Sequence, residues 1–468
     1  MTDSTTGTSS GAPADSASGP ASGPASGPAS GPASGPASGP VTEAWRYSRR
    51  RFLGAAGAVA GAAGVAGFAG GLLTGRGGEA APAPASGTTG PAHPFHGEHQ
   101  AGILTPAQDR LHFAAFDVTT SSRDELIGLL RAWTSAAAEL TQGRAVSSGS
   151  AVGYDAPPLD TGEATGLQAS RLTITIGFGP TLFRTEDGRD RFGIAGRQPK
   201  LLTRLPHFPA DDLDPRRSDG DLAVQACADD PQVAVHAVRN LSRIAFGAAG
   251  IRWAQLGYGR TSSTSTAQET PRNLFGFKEG TANIKLEETD AATQHVWVAP
   301  EDDPGAAWLA GGSYLVARRI SMHIETWDRT SLREQEAIMG RDRRDGAPLS
   351  GGNEFTKPDF AAKGGDGRPL IPEVSHVRLA HPDTNGGHRM LRRGYNFTDG
   401  SDALGRLDAG LFFLAFVRDP ATQYVPVQNR LSKSDVMMEY IKHTGSALFA
   451  VPPGARPGEY LGQSLFST

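Results

Sequence analysis

The segment Arg272-Asn-Leu-Phe-Gly-Phe-Lys-Glu-Gly-Thr-Ala-Asn283 places one carboxylate, that of Glu279, between Gly276 and Gly280. Because glycine has no side chain, the backbone around Glu279 can turn tightly and approach a bulky ligand closely. Asparagine, glycine and threonine dominate the segment, which predicts a loop. A single acid on such a loop suits proton transfer. A solvent-exposed turn with an ordinary charge has the same composition, so the segment alone leaves both interpretations open.

Three further segments accompany this loop along the chain. They are Pro94-Phe-His-Gly-Glu-His-Gln-Ala-Gly102, Val224-Gln-Ala-Cys-Ala-Asp-Asp-Pro231, and Ser375-His-Val-Arg-Leu-Ala-His-Pro382 followed by Leu391-Arg-Arg-Gly-Tyr395. With these segments in order, the chain from about residue 94 to its C-terminus resembles the dye-decolourising peroxidases, a family of haem proteins. The resemblance is to the Tat-exported branch, which is associated with iron transport and deferrochelatase activity. The family motif is Gly-x-x-Asp-Gly, and this chain departs from it by carrying Glu279 in place of the aspartate.

The resemblance implies a role for three residues. His376 matches the axial ligand of the haem iron, and histidine is the usual proximal ligand of peroxidases. Arg392, the first arginine of Arg-Arg-Gly, matches the cation beside the bound peroxide, where a permanently charged guanidinium stabilises developing negative charge. Glu279 takes the place of the acid that moves the peroxide proton. Without the resemblance, a lone histidine beside an apolar segment would more often be a core residue.

The exchange of aspartate for Glu279 lengthens the side chain by one methylene group. Either the loop absorbs the extra length and activity is kept, or the carboxylate is misplaced. Small errors of geometry can lower a rate by about a hundredfold. We expect a working but slower peroxidase that reduces hydrogen peroxide with aromatic, dye-type or metal-ion donors. The alternative is a haem-binding iron-acquisition protein, similar to a deferrochelatase, with weak peroxidase activity.

Four other residues are candidates for supporting roles. A ligating histidine usually donates its second ring nitrogen to a carboxylate or carbonyl. Asp408, before the apolar segment Leu411-Phe-Phe-Leu414, is the predicted partner, although an exposed acid at a strand end fits equally well. Arg260 and Asn283 are candidate haem contacts. Arg393 is expected in a propionate contact or a surface salt bridge.

Two weaker patterns have alternatives. The spacing of His93, His96 and His99 is compatible with a transition-metal site, but Pro94 and Gly97 break any helix that would align them. Three aromatic residues are candidate electron relays or plain core residues: Trp253, Tyr395 and Tyr440. Cys227 is the single cysteine, so no intramolecular disulfide forms, and the absence of Cys-x-x-Cys-His excludes covalent c-type haem. The cofactor that the resemblance implies is one non-covalent haem b per chain.

The N-terminal region predicts export. Six copies of Ala-Ser-Gly-Pro fill residues 17–40, so residues 1–47 are expected to be disordered. Ser48-Arg-Arg-Arg-Phe-Leu-Gly54 and the weakly apolar stretch after it indicate a Tat signal over 48–85. A membrane anchor is the alternative, since nineteen residues just span a bilayer. The expected location is extracellular or within the cell envelope.

Charge and family together limit the partners. With 45 basic and 49 acidic residues, the chain has no electrostatic reason to bind nucleic acid. The expected partners are hydrogen peroxide, a small-molecule reductant and, during export, the Tat translocase. Iron or copper transport partners and self-association remain open.

Alternating strand and helix patterns predict an α+β fold. Strands are predicted at 113–119, 172–176, 314–327, 377–379 and 411–417, and helices at 122–140, 231–246, 331–339 and 432–443. The resemblance implies two ferredoxin-like domains, antiparallel sheets with flanking helices that enclose a haem. Their expected bounds are 94–270 and 271–468.

Overall fold

The computed structural model describes residues 91–146 and 154–467. The predicted disordered region and Tat signal, 1–47 and 48–85, lie outside the described residues. Among the residues that are described, no helix combines the length and apolar character needed to cross a membrane.

The described residues form strands and helices in alternation. The strands are β1 (Arg110–Val118), β2 (Thr173–Phe178), β3 (Leu222–Ala228), β4 (Ala249–Arg260), β5 (Ser313–Met322), β6 (Leu391–Arg392), β7 (Tyr395–Ser401), β8 (Leu407–Val417) and β9 (Ile441–Val451). The α-helices are α1 (Arg123–Leu140), α2 (Pro180–Phe183), α3 (Pro231–Ile244), α4 (Thr289–His295), α5 (Ile324–Trp327), α6 (Leu332–Met339), α7 (His376–Ala380), α8 (Pro420–Gln423), α9 (Val425–Ser434) and α10 (Gln463–Phe466).

The strands share one antiparallel sheet in the order β5-β9-β2-β3-β1-β4-β7-β8-β6. Because β5 also pairs with β8, the sheet closes into a barrel. β7 and the two-residue β6 pair with successive parts of the same edge of β8. Closure leaves few strand edges open to unwanted pairing. The predicted α+β class is confirmed, but the strands do not form two separate sheets.

The helices form where the sequence predicts strong caps. Ser122 accepts a hydrogen bond from the backbone of Glu125 and begins α1, whose apolar face is buried around Trp133. Asp230 caps α3 through the backbone of Gln232. These helices cover the outer face of β1 and β3, and the opposite face of β1, with Phe113, packs into the barrel interior.

Two predicted elements of the C-terminal half are wrong. The segment 377–379 belongs to the short helix α7, not to a strand, because an apolar run this short does not distinguish the two. The predicted helix 432–443 is wrong in both bounds: α9 covers Val425–Ser434, and Asp435, with an extended backbone, caps a separate 3₁₀ turn. β9 then begins at Ile441. The predicted strand 314–327 also ends early, at Met322.

A cavity lies on the outer face of the C-terminal strands. Along β5, Ile320 and Met322 line this cavity, whereas Leu315 and Ala317 pack into the barrel interior. The 272–283 loop, α7 and α9 supply its other walls. One face of the sheet and the segments above it therefore enclose the space.

Candidate functional site

The cavity has apolar walls and a small number of ionisable groups. Its apolar lining includes Phe277, Ile320, Met322, Leu411, Phe413, Val427, Leu431 and Ile441. Glu279, His376, Arg392 and Asp435 also line it. A cavity of this kind binds a largely apolar ligand and fixes its orientation through a few polar groups.

His376 opens helix α7, and its ring is held from one side. Its Nδ1 lies 2.7 Å from Oδ2 of Asp435, whose side chain is only 1% exposed. Nε2 has no hydrogen-bond partner among the described residues, and the side chain is 31% exposed because it faces the cavity. Burial opposes a charge on the ring, but the Asp435 carboxylate outweighs it and raises the pKa of His376. The ring is thus oriented with one nitrogen available to a ligand.

Glu279 lies on the predicted loop, which the structure confirms. Gly280 has φ +85°, and a Cβ there would lie 2.8 Å from Cα of Ser262, so the turn requires glycine. Asn273 Nδ2 donates a hydrogen bond of 3.0 Å to Oε2 of Glu279. Burial raises the pKa of Glu279, opposed by the Arg392 guanidinium and the Asn273 amide. A buried carboxylate with a raised pKa is suited to accepting and returning a proton.

Arg392 lies in β6 and faces Glu279. Its Nη1 is 3.9 Å from Oε1 of Glu279, and its side chain is 25% exposed. Burial lowers the pKa of Arg392, opposed by the Glu279 charge. The cavity therefore holds an imidazole with one open nitrogen and a carboxylate beside a guanidinium.

Two family models cover most of the chain. The model described as "Dyp-type peroxidase, N-terminal" matches residues 100–259, and the one described as "Dyp-type peroxidase, C-terminal" matches residues 270–456. The chain belongs to the Dyp-type peroxidase family. It is accordingly a haem-dependent peroxidase, and its cofactor is haem.

Similar proteins agree with this assignment. The chain is 39% identical to a protein named deferrochelatase from Yersinia pseudotuberculosis, over 80% of this chain and 84% of that one. It is also 39% identical to a dye-decolorizing peroxidase from Thermobifida fusca, over 78% and 83% of the two chains. The structure of ferric DtpA from Streptomyces lividans matches with a TM-score of 0.73 and 41% identity, covering 82% of this chain and 100% of that one.

In this Dyp-type peroxidase, several predicted site residues lie away from the cavity. Asp408 accepts a hydrogen bond of 2.8 Å from Arg319, so its prediction as the partner of His376 is wrong. Arg260 donates to the carbonyl of Glu269 and is not among the cavity-lining residues. Asn283 is buried behind the wall and bonds to the backbone of Arg392. It is not among the cavity-lining residues, and its role as a haem contact stays a prediction.

The surface salt bridge predicted for Arg393 is also wrong. It is 1% exposed and donates to the carbonyl of Thr105 at 2.6 Å and to the side chain of Gln108. It is thus an interior residue that fastens the 103–108 segment, not a surface salt bridge. Arg393 directly follows β6, and successive residues of an extended backbone point to opposite faces, which explains why Arg392 and Arg393 differ.

Asp435 is the functional residue that sequence reasoning missed. It lies 59 positions after His376, inside a segment interpreted as one continuous helix. Its side chain also accepts a hydrogen bond from the backbone of Met437 at 2.9 Å. An aspartate that caps a turn is a recognisable signal for a helix end, and this signal would have separated α9 from the next turn.

The remaining candidates have structural contacts. His96 and His99 bond to the carbonyls of Ala455 and Gly311, and among the described residues no three His, Cys, Asp or Glu side chains could hold a metal ion. The metal interpretation of the His93 series is therefore not supported. Trp253 lies 6.1 Å from Phe412 between ring centroids, while Tyr440 packs edge-on against Trp327 and Tyr395 is fully buried.

Proposed function

We propose that His376 ligates the haem iron and that Glu279 and Arg392 act on hydrogen peroxide in the same cavity. One observation carries the proposal: an imidazole with an open nitrogen shares an apolar cavity with a carboxylate only 3.9 Å from a guanidinium. A proximal ligand, a proton-transfer group and a fixed positive charge are the protein groups that peroxide cleavage at iron requires.

The cavity suits haem in shape and in donor chemistry. Its walls are apolar on several sides, as a porphyrin requires, and His376 Nε2 is a suitable iron ligand. Two buried atoms in the lining, Nε2 of Gln428 and Nδ1 of His443, have no hydrogen-bond partner among the described residues. Buried polar atoms are seldom left unsatisfied, so these two fit polar groups on the periphery of a bound ligand. When bound, haem supplies the iron centre at which the peroxide bond is cleaved.

The residues of the chain supply the proton chemistry. Glu279 would accept a proton from hydrogen peroxide and return it to the leaving oxygen, so that this oxygen departs as water. Arg392 would stabilise the negative charge that develops on the leaving oxygen. A reducing substrate would supply the two electrons that reduction of the peroxide to water requires.

Stopped-flow mixing with peroxide tests this assignment. Glu279→Gln keeps the shape of the side chain but cannot accept the proton. We expect the peroxide-induced change of the Soret band to slow by about a hundredfold or more. Glu301→Gln, at a side chain that is 76% exposed, serves as the matched control and should retain the rate. An unchanged rate in Glu279→Gln, at equal haem content, would exclude this role for Glu279.

The second candidate function is haem-iron acquisition. The deferrochelatase name of the Yersinia pseudotuberculosis relative and the glutamate at position 279 favour it. A carrier of this type would show slow bleaching of haem with peroxide, whereas a peroxidase gives a rapid, stoichiometric spectral change. Dyes, phenols and ferrous iron should be compared as electron donors in the same experiment.

We also propose that the chain is exported through the Tat translocase to the cell envelope or the extracellular space. The support is the twin-arginine segment Ser48-Arg-Arg-Arg-Phe-Leu-Gly54. Fractionation of cells that express Arg49→Lys together with Arg50→Lys tests this: the protein should remain in the cytoplasm. Export of the doubly substituted chain at the normal level would contradict it.

The two-domain organisation, 94–270 and 271–468, stays a proposal. Its support is the strand order, since the first four strands run β2-β3-β1-β4 and four later ones run β7-β8-β5-β9. Both are the order of a ferredoxin-like β-α-β-β-α-β unit. Separate expression of the two segments would test whether each folds alone.

A further inference from the structure

We propose that Asn283 is a positioning residue that sets the location of Arg392, and this inference rests on the proposed function of Arg392. The Asn283 side chain is 2% exposed, and it bonds twice to the backbone of one residue. Its Oδ1 accepts from the backbone nitrogen of Arg392 at 2.7 Å, and its Nδ2 donates to the backbone oxygen of Arg392 at 2.8 Å. Because one bond needs an acceptor and the other a donor, the pair determines the positions of Oδ1 and Nδ2 in the Asn283 side chain.

The two hydrogen bonds from Asn283 take the place of those that a neighbouring strand would make with Arg392. β6 has only two residues and pairs with β8 along one edge, where Arg392 lies opposite Ala415. The N–H and C=O groups of Arg392 point to the other edge, where a second strand would ordinarily exchange two hydrogen bonds with it. The carboxamide of Asn283 resembles a peptide group and makes both bonds. β6 is thereby held from two sides despite its length.

A shared acceptor connects this contact to the Glu279 loop. Nδ2 of Asn283 also donates to the carbonyl of Ser263 at 3.0 Å, and Nζ of Lys285 donates to the same carbonyl at 2.8 Å. Lys285 reaches the carbonyl of Gly280, next to Glu279, at 3.4 Å. Ser262 packs against Gly280 closely enough to exclude a Cβ. The 262–263 segment therefore joins the carboxylate loop to the arginine strand.

This arrangement assigns Asn283 a role that acts through Arg392. Asn283 is absent from the lining of the cavity among the described residues, so its loss does not remove a contact to haem or peroxide. Its loss instead frees β6 and the guanidinium that β6 carries. A displacement of about 1 Å at a catalytic group can lower a rate by about a hundredfold.

A double-mutant cycle tests the proposal on the haem-loaded protein. Asn283→Ala should lower the bimolecular rate of the peroxide-induced Soret change by about 10- to 100-fold. In the Arg392→Ala background the same substitution should change the rate by less than about twofold, because residues that act as one unit are not additive. A purely structural role for Asn283 would lower both backgrounds by the same factor and would overturn the proposal.

Two further variants guard against a general folding defect. Asn283→Asp keeps the acceptor oxygen and removes the donor amide, so it should slow the reaction while the chain still folds. Asn240→Ala removes an equally buried amide in α3, which bonds to Thr161, and should leave the rate unchanged at equal haem content. Asn283 variants with the wild-type rate would overturn the inference. If Arg392→Ala itself has no effect, the proposed function of Arg392 fails instead.

Discussion

The proton affinity of Glu279 is set by its burial and by the charged and polar groups beside it. Burial raises its pKa, while the Arg392 guanidinium and the Asn273 amide lower it. The carboxylate has to be ionised to accept a proton from peroxide. Activity is therefore present above the pKa of Glu279 and is lost as the pH falls through it. Since the pKa is raised, this loss begins at a higher pH than for an ordinary glutamate.

In Asn273→Asp, the loss of activity at acid pH should begin at a still higher pH. The substitution keeps the oxygen that accepts from the backbone of Phe275, but it replaces the donor to Glu279 with a second negative charge. Both changes raise the pKa of Glu279. The measurement is the pH profile of kcat/KM for peroxide. Asn353→Asp, an exposed residue with the same type of turn contact to Phe355, is the control and should leave the profile in place. If kcat/KM of Asn273→Asp falls at the same pH as that of the wild type, Asn273 does not influence the pKa of Glu279.

At the scale of elements, the site depends on a short helix, α7, and on the end of another helix, α9. α7 is five residues long and presents His376 at its first position. α9 ends so that Asp435 turns toward that ring. Local sequence patterns did not predict this contact, because each pattern was assigned to a longer regular element. His376 could be selected as a candidate from the sequence, because the segment Ser375–Pro382 that marks it is continuous in the chain.

Asp435→Asn should raise the reduction potential of the bound iron. A carboxylate partner increases the basicity of a ligating imidazole and stabilises the oxidised metal, whereas a neutral amide does this less. Spectroelectrochemical titration of the haem-loaded protein provides the measurement. Asp408→Asn, at the residue that sequence analysis favoured, is the matched control and should leave the potential unchanged. Equal potentials for the wild type and Asp435→Asn would show that Asp435 has no influence on the ligand.

At the scale of the whole molecule, the closed sheet could not be read from the sequence. The strands and main helices of the N-terminal half follow from their periodicity and caps, as α1 and α3 do. Closure depends instead on the pairing of β5 with β8 and β9, which joins residues about a hundred positions apart, such as Tyr314 and Val417. The side on which Arg393 lies follows from another long-range pairing, that of β6 with β8, which local sequence patterns did not predict either.

The barrel also carries a half-buried histidine that makes its stability sensitive to acid. Burial lowers the pKa of His112, in β1, from 6.5 to about 4. As the pH falls below 6.5, the unfolded chain takes up this proton first, so stability is complete above pH 6.5 and decreases toward pH 4. The loss attributable to His112 is at most about 3 kcal/mol.

Chemical denaturation between pH 7 and 4 measures this contribution. In His112→Gln the free energy of unfolding should fall less steeply with decreasing pH than in the wild type. His207→Gln, at an exposed histidine, should behave as the wild type does. Parallel curves for His112→Gln and the wild type would exclude His112 as a source of acid sensitivity.

Ligation of haem by His376 is tested by the haem content and spectrum of His376→Ala, purified from cells supplied with haem. His388→Ala, at another histidine of the cavity lining, is the control and should retain normally ligated haem. His376→Ala should lose the haem or hold it with a spectrum that lacks histidine ligation. A full complement of haem with the wild-type spectrum in His376→Ala would contradict it.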